Sequence, residues 1–244
     1  PISECVGELS IEQLADANKS AWDSLYASTP KTIWGDEPLP FLDEFRPAFK
    51  AALSLPSRVL DAGAGEGRNL PFLLSVGAEQ VHAIDASQHA LDKIPQALRA
   101  HLQSRAGDLA ATGYPGAYFD CICLLDVFET LPNAEAVLAE LYHVLKPGGL
   151  LLCNIPGFDD GVVGHDMEAL GSDSFLYQHA YFFRFVEPAT AENLITAAGF
   201  EILHSGRREW TEAPHPGFRG EQHGHVSHVL LMRRPLLRHP PSFR

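Results

Sequence analysis

The sequence has little positive charge and no long apolar run. Its 244 residues include 18 Lys and Arg against 31 Asp and Glu, which gives a formal net charge of −13 at pH 7. Nucleic-acid binding generally needs a basic face, so this balance disfavours a nucleic-acid partner. The longest apolar runs, such as Cys121 to Leu125, are far shorter than the ~18 residues that span a bilayer, so we expect no membrane partner.

Cysteine is also scarce. The chain contains Cys5, Cys121, Cys123 and Cys153, and none belongs to a Cys-x-x-Cys pair. The last three lie in apolar stretches, where a reduced cysteine behaves as a small hydrophobic residue. The first ten residues lack the basic and apolar regions of a secretory signal. These features predict a cytoplasmic protein without a disulfide framework, and they leave the oligomeric state undefined.

Short apolar segments that alternate with helical patterns predict an α/β fold. Helices are expected at 88–102 and 134–145, between strands. The alternation predicts a doubly wound, mostly parallel sheet with helices on both faces. After a helix at 192–198, two further strands follow without a helix between them, which predicts an antiparallel C-terminal pair at the sheet edge. The expected strands are 57–61, 80–85, 105–109, 119–125, 150–155, 200–205 and 226–232.

Two segments lie outside this alternation. Residues 10–26 have the spacing of an amphipathic helix, with Ser10 and Gln13 placed for a capping box. We therefore predict that residues 1–54 form a helical cap or lid over an α/β domain at 55–244. The Gly- and Asp-containing segment 157–183 is an insertion after the fifth strand, expected to lie over the pocket.

The strongest local motif is the run from Asp61 through Gly63 and Gly65 to Gly67, between a strand and a helix. Glycines at such a turn let the backbone approach a ligand closely. Ligands of open α/β sheets bind at the carboxyl ends of the strands. Asp85 ends the second strand and is placed to accept both hydroxyls of an adenosine ribose.

Two adenosine cofactors compete for this motif. A dinucleotide site requires a third glycine at the position that Arg68 occupies, and Asp61 would repel a pyrophosphate. A carboxylate there suits the ammonium and sulfonium groups of S-adenosylmethionine. The phosphate-binding pattern that ends in Lys-Ser/Thr is absent. The residues therefore favour S-adenosylmethionine, with a nicotinamide-dependent oxidoreductase as a distant alternative.

Six segments in order resemble the class I S-adenosylmethionine-dependent methyltransferases, over about residues 57–155 with weaker support to 232. The segments are VLDAGAGEGRNL, VHAIDAS, AGDL, FDCICLLDVFETL, LYHVLKPGGLLLCNIP and YFFRFVEPATAENLITAAGFEIL. The resemblance implies a Rossmann-like seven-stranded sheet and conversion of S-adenosylmethionine to S-adenosylhomocysteine. A shorter resemblance, through GEGRN and the upstream WDSLY and IWGDEPLPFL, links the chain to the thiopurine and tellurite branch.

The resemblance also implies the cofactor-binding residues. It places Asp85 at the ribose, Asp108 at the adenine amino group and Leu109 against the adenine ring. Arg68 is placed to reach the cofactor carboxylate, although a role on the helix surface is equally open. The full set is Asp61, Ala62, Gly63, Ala64, Gly65, Arg68, Asn69, Asp85, Ala86, Gly107, Asp108, Leu109, Leu125 and Asp126.

The acceptor is expected to be a small molecule methylated at O, N or S. His179 is the candidate general base, because histidine titrates near neutral pH, and Tyr26 is a second candidate catalytic residue. Trp22 and Tyr26 fit a buried helix face equally well, and Arg184 fits a surface ion pair. The candidate substrate residues are Trp22, Tyr26, Trp34, His165, Tyr181 and Arg184.

Two further alternatives concern metal and function. The pattern His223-x-His225-x-x-His228 suggests a metal site, but His225 and His228 have opposite parity in the predicted strand. They would face opposite sides of the sheet, so we predict no metal. Many members of the family read Glu-His-Leu after the fourth strand, where this chain has Thr130 in place of the histidine, and this difference concerns the substrate rather than the class. The Asn/Asp-Pro-Pro-aromatic motif of enzymes that methylate amino groups of bases or glutamine is absent, which disfavours nucleic acid as the acceptor. A cofactor-binding protein with a non-methylating reaction, or a sensor or scaffold, is the alternative function.

Overall fold

A seven-stranded sheet forms the centre of the computed structural model, which describes residues 9–164 and 166–236. Its strands are β1 (Arg58–Ala62), β2 (Gln80–Asp85), β3 (Leu102–Ala106), β4 (Phe119–Leu124), β5 (Leu145–Pro156), β9 (Glu201–Glu212) and β10 (His223–Arg233). The strand order is β3-β2-β1-β4-β5-β10-β9. β10 runs antiparallel to both of its neighbours, and the other pairs are parallel. The predicted fold class is confirmed.

Helices cover both faces of this sheet. They are α1 (Ile11–Ser28), α2 (Arg46–Ala52), α3 (Leu70–Ser75), α4 (Gln88–Asp92), α5 (Gln96–Arg99), α6 (Ala134–Val144) and α7 (Pro188–Ala197), with 3-10 turns at Leu42–Phe45 and Phe128–Thr130. Successive side chains of a strand point to opposite faces. In β4, Ile122 therefore packs with α6 and α7, whereas Cys121 packs with α2 and α3. Every residue of β4 is buried, which explains its continuous apolar run.

The predicted N-terminal helix begins where the capping box places it. Ser10 accepts from the Gln13 backbone, and the Gln13 side chain accepts from the Ser10 backbone N–H. The second half of the predicted cap belongs to the sheet core, because Phe45 and Phe49 are buried against one sheet face. Only the first half of the predicted cap, which contains α1, lies outside this part of the core.

Two elements differ from the sequence prediction. The third strand spans Leu102–Ala106 rather than 105–109, because this edge strand is mostly exposed and carries no apolar alternation. The helix predicted over 88–102 is split into α4 and α5. Pro95 precedes α5 directly and has no N–H to continue the helical ladder.

The C-terminal strand pair is longer than predicted. Pairing of β10 with β5 starts at Ser227, opposite Pro156, whereas pairing with β9 starts at His223, opposite Glu212. A two-stranded ribbon therefore projects past the carboxyl edge of the sheet. We refer to residues 209–226, the ribbon and its connecting loop, as the hairpin arm.

The predicted insertion forms a small sheet of its own. Its strands are β6 (Met167–Ala169), β7 (Ser174–Tyr177) and β8 (Tyr181–Arg184), paired antiparallel in that order. The backbone N–H of Phe182 donates to Asn18 Oδ1 on α1 at 2.9 Å. Within the described residues, no helix has both the length and the hydropathy required to cross a membrane.

A buried histidine in β2 makes the stability of the fold depend on pH. His82 is 2% exposed among Tyr114, Tyr118 and Phe119, and its Nε2 has no hydrogen-bond partner among the described residues. Burial, with repulsion from nearby arginines, lowers the pKa of His82 from 6.5 to about 4. Between these values the unfolded chain binds a proton that the folded protein rejects.

We therefore expect the free energy of unfolding to fall as the pH is lowered from 6.5 toward 4. The substitution His82→Gln removes this contribution, so its unfolding free energy should depend less on pH over that range. Urea unfolding at several pH values measures the difference, with the exposed His101→Gln as the matched control. Parallel pH profiles for wild type and His82→Gln would contradict this assignment.

Candidate active site

A cavity opens at the carboxyl edge of the sheet, and the turn after β1 forms its floor. The backbone N–H groups of Gly63 and Ala64 both donate to the Ile84 carbonyl, at 2.8 and 3.0 Å. Gly63 has φ +80°, and a Cβ there would lie 2.4 Å from Val127. Glycine is therefore required at this position, both for the backbone conformation and for the close approach. We call this part of the cavity the glycine side.

Acidic side chains surround the glycine side. Asp85, at the end of β2, accepts from the Gly65 N–H through Oδ2 and from the Ser87 N–H through Oδ1, both at 2.8 Å. Burial raises the pKa of Asp85. Asp61 lies beneath the turn, 2% exposed, and its Oδ2 has no partner among the described residues. Burial and the charge of Asp85 raise the pKa of Asp61 to about 7.

Asp126 follows β4 in the left-handed conformation, with φ +53°. Asn154 holds it from the neighbouring strand: the Asp126 N–H donates to Asn154 Oδ1 at 2.8 Å, and Asn154 Nδ2 donates to Asp126 Oδ1 at 2.7 Å. Glu129, one turn further on, is 7% exposed. Burial and the charges of Asp126 and Asp160 raise the pKa of Glu129 well above its ordinary value.

Helix α1 lines the cavity and is attached at several points. Lys19 Nζ pairs with Asp108 Oδ2 at 2.6 Å, and both residues line the cavity. Asn18 Nδ2 donates to the Thr130 carbonyl at 2.7 Å while its Oδ1 holds β8. Asp23 accepts from Ser87 Oγ at 2.6 Å. The helix thus contacts both the sheet edge and the insertion.

Aromatic rings line the cavity beneath α1. The rings of Trp22, Trp34 and Phe218 form a mutual cluster with centroids 5.3–6.1 Å apart. Trp34 Nε1 donates to Tyr26 Oη at 2.8 Å, which places the Tyr26 hydroxyl over Gly65. Burial and the charge of Asp85 raise the pKa of Tyr26 well above 10.0. The phenol therefore stays protonated, which makes it a poor base.

The hairpin arm closes the opposite wall. Arg68, at the start of the helix after the glycine turn, pairs with Glu212 Oε1 at 2.9 Å. Glu212 Oε2 lies 3.0 Å from His215 Nε2. Burial tends to raise the pKa of Glu212, but His215 and Arg68 outweigh it and hold that pKa far below its ordinary value.

Two further histidines of the arm line the same wall, and their environments differ. Burial lowers the pKa of His223, and the neighbouring His225 adds to this effect. Burial also acts to lower the pKa of His225, but the hydrogen bond and charge of Asp160 outweigh it and raise that pKa. A less basic and a more basic imidazole thus stand side by side.

The structure brings most of the predicted site residues to this one cavity. Asp61 and Ala62 lie behind the glycine turn, and Gly107 lies outside the lining. Asp108 lines the cavity, but Lys19 already occupies its Oδ2. The predicted residues that line it are Trp22, Tyr26, Trp34, Gly63, Ala64, Gly65, Arg68, Asn69, Asp85, Ala86, Asp108, Leu109, Leu125 and Asp126.

Three predicted residues of the acceptor side do not reach the cavity. His179 has a side chain that is 70% exposed and paired with Glu168, so its position excludes the predicted role as base. Tyr181 packs against Trp22, with tilted rings whose centroids are 4.6 Å apart, and it is no part of the lining. Arg184 lies between Glu135 and Asp173, at 3.5 and 3.8 Å, which matches the ion-pair alternative. His165 lies outside the described residues.

Sequence reasoning missed the residues that the hairpin arm contributes. The segment 206–212 alternates exposed and half-buried residues but carries mostly charged side chains, so it gives no apolar strand signal. Glu66 was also missed: it accepts from the Ile33 and Trp34 N–H groups and pairs with Lys93, which anchors the aromatic loop to the glycine turn. The missed lining residues include Glu66, Glu129, Asp160, Glu212, His215 and Phe218, whereas His223 and His225 were considered only as part of a metal pattern that was set aside.

The family of the chain follows from comparison with known proteins. A family model described as a methyltransferase domain matches residues 36–205. The ubiquinone/menaquinone biosynthesis C-methyltransferase of Methylobacterium nodulans is 26% identical over 174 residues, which are 63% of this chain and 69% of that protein. The ubiquinone biosynthesis O-methyltransferase of Burkholderia thailandensis is 26% identical over 60% of this chain and 65% of its own length.

Solved structures agree on the fold. The 1,6-didemethyltoxoflavin-N1-methyltransferase of Burkholderia thailandensis, solved with S-adenosylhomocysteine, has a TM-score of 0.64 and 24% identity, over 93% of this chain and 91% of that one. The [4+2]-cyclase SpnF has a TM-score of 0.57 and 16% identity, over 93% of this chain and 98% of that one. One fold therefore serves different reactions.

The protein belongs to the class I S-adenosylmethionine-dependent methyltransferases. Its cofactor is S-adenosylmethionine. The glycine side fits this molecule because the carboxyl groups of Asp61, Asp85 and Asp126 lie around it: Asp61 is buried beneath the turn, Asp85 is half-buried and the Asp126 side chain is 36% exposed. Such a site favours ammonium and sulfonium groups and repels the pyrophosphate of a dinucleotide.

We expect Asp85→Ala to weaken binding of S-adenosylhomocysteine by about 1.5–3 kcal/mol, the range for hydrogen bonds to a charged group. Asp85→Asn keeps one acceptor oxygen and should lose less. Calorimetric titration measures both variants, and unfolding without ligand shows whether they remain folded. Asp92→Ala, an exposed carboxylate in the following helix, is the control. An unchanged dissociation constant for folded Asp85→Ala would remove Asp85 from the cofactor site.

Proposed function

We propose that the protein transfers the methyl group of S-adenosylmethionine to an oxygen, nitrogen or sulfur atom of a small molecule. The observation that carries this proposal is the division of the cavity into two chemically different parts. The glycine side is acidic and suited to the cofactor. The remainder is lined by aromatic rings and by polar atoms that have no hydrogen-bond partner among the described residues.

Those polar atoms support a polar acceptor. Three buried side-chain atoms belong to residues that line the cavity and have no hydrogen-bond partner among the described residues. They are Trp22 Nε1, Glu129 Oε2 and Arg219 Nη1. A buried polar group without a partner is costly, so such groups usually face a ligand or water. Two donors and one carboxyl group would pair with an acceptor that carries both hydrogen-bonding types.

The cofactor supplies a methyl group that its sulfonium already activates. The protein's part is to hold the acceptor atom in line with that methyl group and to exclude water. Holding two reactants in this way contributes about 7–11 kcal/mol. We propose that Asp85 holds the ribose, that the glycine turn holds the amino-acid end, and that the cluster of Trp22, Trp34 and Phe218 orients a planar acceptor.

We propose that residues 1–54 act as a lid over the cavity of the methyltransferase domain, which comprises residues 55–244. We propose that the Lys19–Asp108 pair, both of whose residues line the cavity, spans its mouth and slows the exit of a bound ligand. The charge of −13 keeps nucleic acid the less favoured acceptor. Cys121, Cys123 and Cys153 are free and buried, which supports a reducing, cytoplasmic location.

We expect Lys19→Ala to accelerate release of S-adenosylhomocysteine while the free energy of unfolding changes by less than about 1 kcal/mol. The side chains of the pair are 32% and 40% exposed, and such pairs contribute little to stability. Stopped-flow displacement measures the release rate. Asp16→Ala is the matched control, because it removes the other carboxylate on Lys19 and keeps the contact across the mouth. Equal release rates for wild type and Lys19→Ala would count against the lid.

Methyl transfer itself is tested by measuring S-adenosylhomocysteine formed from S-adenosylmethionine in the presence of phenols, nitrogen heterocycles and thiols. We expect at least one class to raise the rate well above that without acceptor. The substitution Trp22→Phe, which removes the indole N–H and keeps an aromatic ring, should raise the KM for that acceptor. Cofactor binding without turnover by any class would favour the sensor or scaffold alternative.

A further inference from the structure

Four side chains of the hairpin arm converge on one point of the cavity wall. Glu212 ends β9, His215 lies in the connecting loop, and His223 and His225 begin β10. Each offers one ligand atom, and these atoms all lie within 4.8 Å of one another. All four residues line the cavity. We call them the Glu-His cluster.

Strand register explains the convergence. Glu212 pairs with His223, and Trp210 pairs with His225, so the alternate residues of both strands share one face. His228 lies on the opposite face, where it contacts Ser205 and Glu192. The sequence prediction that His225 and His228 cannot share a metal therefore agrees with the geometry. The prediction of no metal did not consider Glu212 and His215, which the hairpin arm brings next to His223 and His225.

The second ring nitrogen of every histidine in the cluster is already engaged. Nδ1 of His215 faces the Ile33 carbonyl at 3.1 Å, and Nδ1 of His223 faces the Glu221 carbonyl at 2.9 Å. Nδ1 of His225 faces Asp160 Oδ2 at 3.3 Å. Each oxygen favours a proton on Nδ1, which leaves Nε2 as the lone-pair nitrogen. Metal-binding histidines have this arrangement almost without exception.

The carboxylate is positioned in the same manner. Arg68 and Trp210 Nε1 both donate to Glu212 Oε1, each at 2.9 Å. Oε2 remains for a ligand and lies 3.0 Å from His215 Nε2 and 3.8 Å from His225 Nε2. Neighbouring ligands bonded to one metal ion at about 2.1 Å are roughly 3.0–3.4 Å apart. The first distance already matches this spacing, and the wider ones must contract.

We propose that the Glu-His cluster binds a divalent first-row transition-metal ion, of which Zn²⁺ is the representative, through Glu212 Oε2 and the Nε2 atoms of His215, His223 and His225. Imidazole ligands favour Zn²⁺ and its neighbours, whereas Mg²⁺ and Ca²⁺ prefer oxygen ligands. Zn²⁺ accepts four protein ligands and can expand to a fifth. Because all four residues line the cavity, a fifth ligand would come from the cavity.

A metal ion at this position would have a use in the cavity. It would hold an oxygen, nitrogen or sulfur atom of the acceptor and lower the pKa of that group, since bound metal ions favour the deprotonated form. The acceptor would then lose its proton to water, and the deprotonated atom would take the methyl group from the sulfonium. The structure then needs no separate base of the kind predicted at His179. This use rests on the proposed methyl transfer, whereas the metal site itself does not.

The test uses the full chain without a histidine tag, stripped with a chelator and dialysed. Calorimetric titration with Zn²⁺ should give one ion per chain, and titration with Mg²⁺ should give no specific binding. Co²⁺ should produce visible absorption bands of a site with nitrogen ligands. The double variant His223→Ala/His225→Ala should weaken Zn²⁺ binding by more than about 100-fold, because it removes two ligands. His228→Ala should bind as wild type does.

Two results would overturn the proposal. One is the absence of stoichiometric Zn²⁺ and Co²⁺ binding by folded wild type, which would leave the cluster as a hydrogen-bonded charge network. The other is equal weakening by His228→Ala and by the double variant. Titration of the metal-free protein with S-adenosylhomocysteine measures cofactor binding separately from metal binding, so the two proposals can fail independently. Metal binding without methyl transfer would refute the proposed function and leave the metal site standing.

Discussion

One ion pair joins the two walls of the cavity. Arg68 follows the glycine turn of the sheet, and Glu212 ends the outermost strand. Their side chains are only 14% and 9% exposed, so the charges are largely removed from water. A buried pair of this kind adds little net stability, because desolvation offsets the attraction. Its effect is positional, since it sets the hairpin arm against the glycine side and leaves Glu212 Oε2 facing the histidines.

The sequence was most informative where local rules and function coincide. Gly63 needs both its backbone conformation and its lack of a side chain, and Ser10 with Gln13 is a local capping pattern. Both could therefore be predicted without knowing the fold. The hairpin arm could not, because residues 206–212 carry charged side chains on an edge strand, and His215 meets Glu212 only through the course of a loop. The prediction of His179 as the base was wrong because it rested on the chemistry of histidine alone. The sequence did not show that this residue lies on an exposed part of the insertion, outside the cavity.

The cavity combines two chemistries that the fold keeps apart. The acidic glycine side is formed by the ends of β1, β2 and β4, which every chain with this sheet possesses. The aromatic and histidine-rich wall is formed by α1, the insertion and the hairpin arm, which are additions to that sheet. We propose that the first part is the cofactor site and the second the acceptor site, and we expect differences among relatives to concentrate in the additions.

A crystal structure of the chain grown with S-adenosylhomocysteine and Zn²⁺, with anomalous data at the zinc edge, tests both proposed sites most directly. We expect the ribose on Asp85, the sulfur facing the aromatic cluster, and one anomalous peak about 2.1 Å from Glu212 Oε2 and the three Nε2 atoms. A ligand bound away from the glycine turn would contradict the cofactor site. A zinc peak elsewhere, with the cluster unchanged, would contradict the metal site.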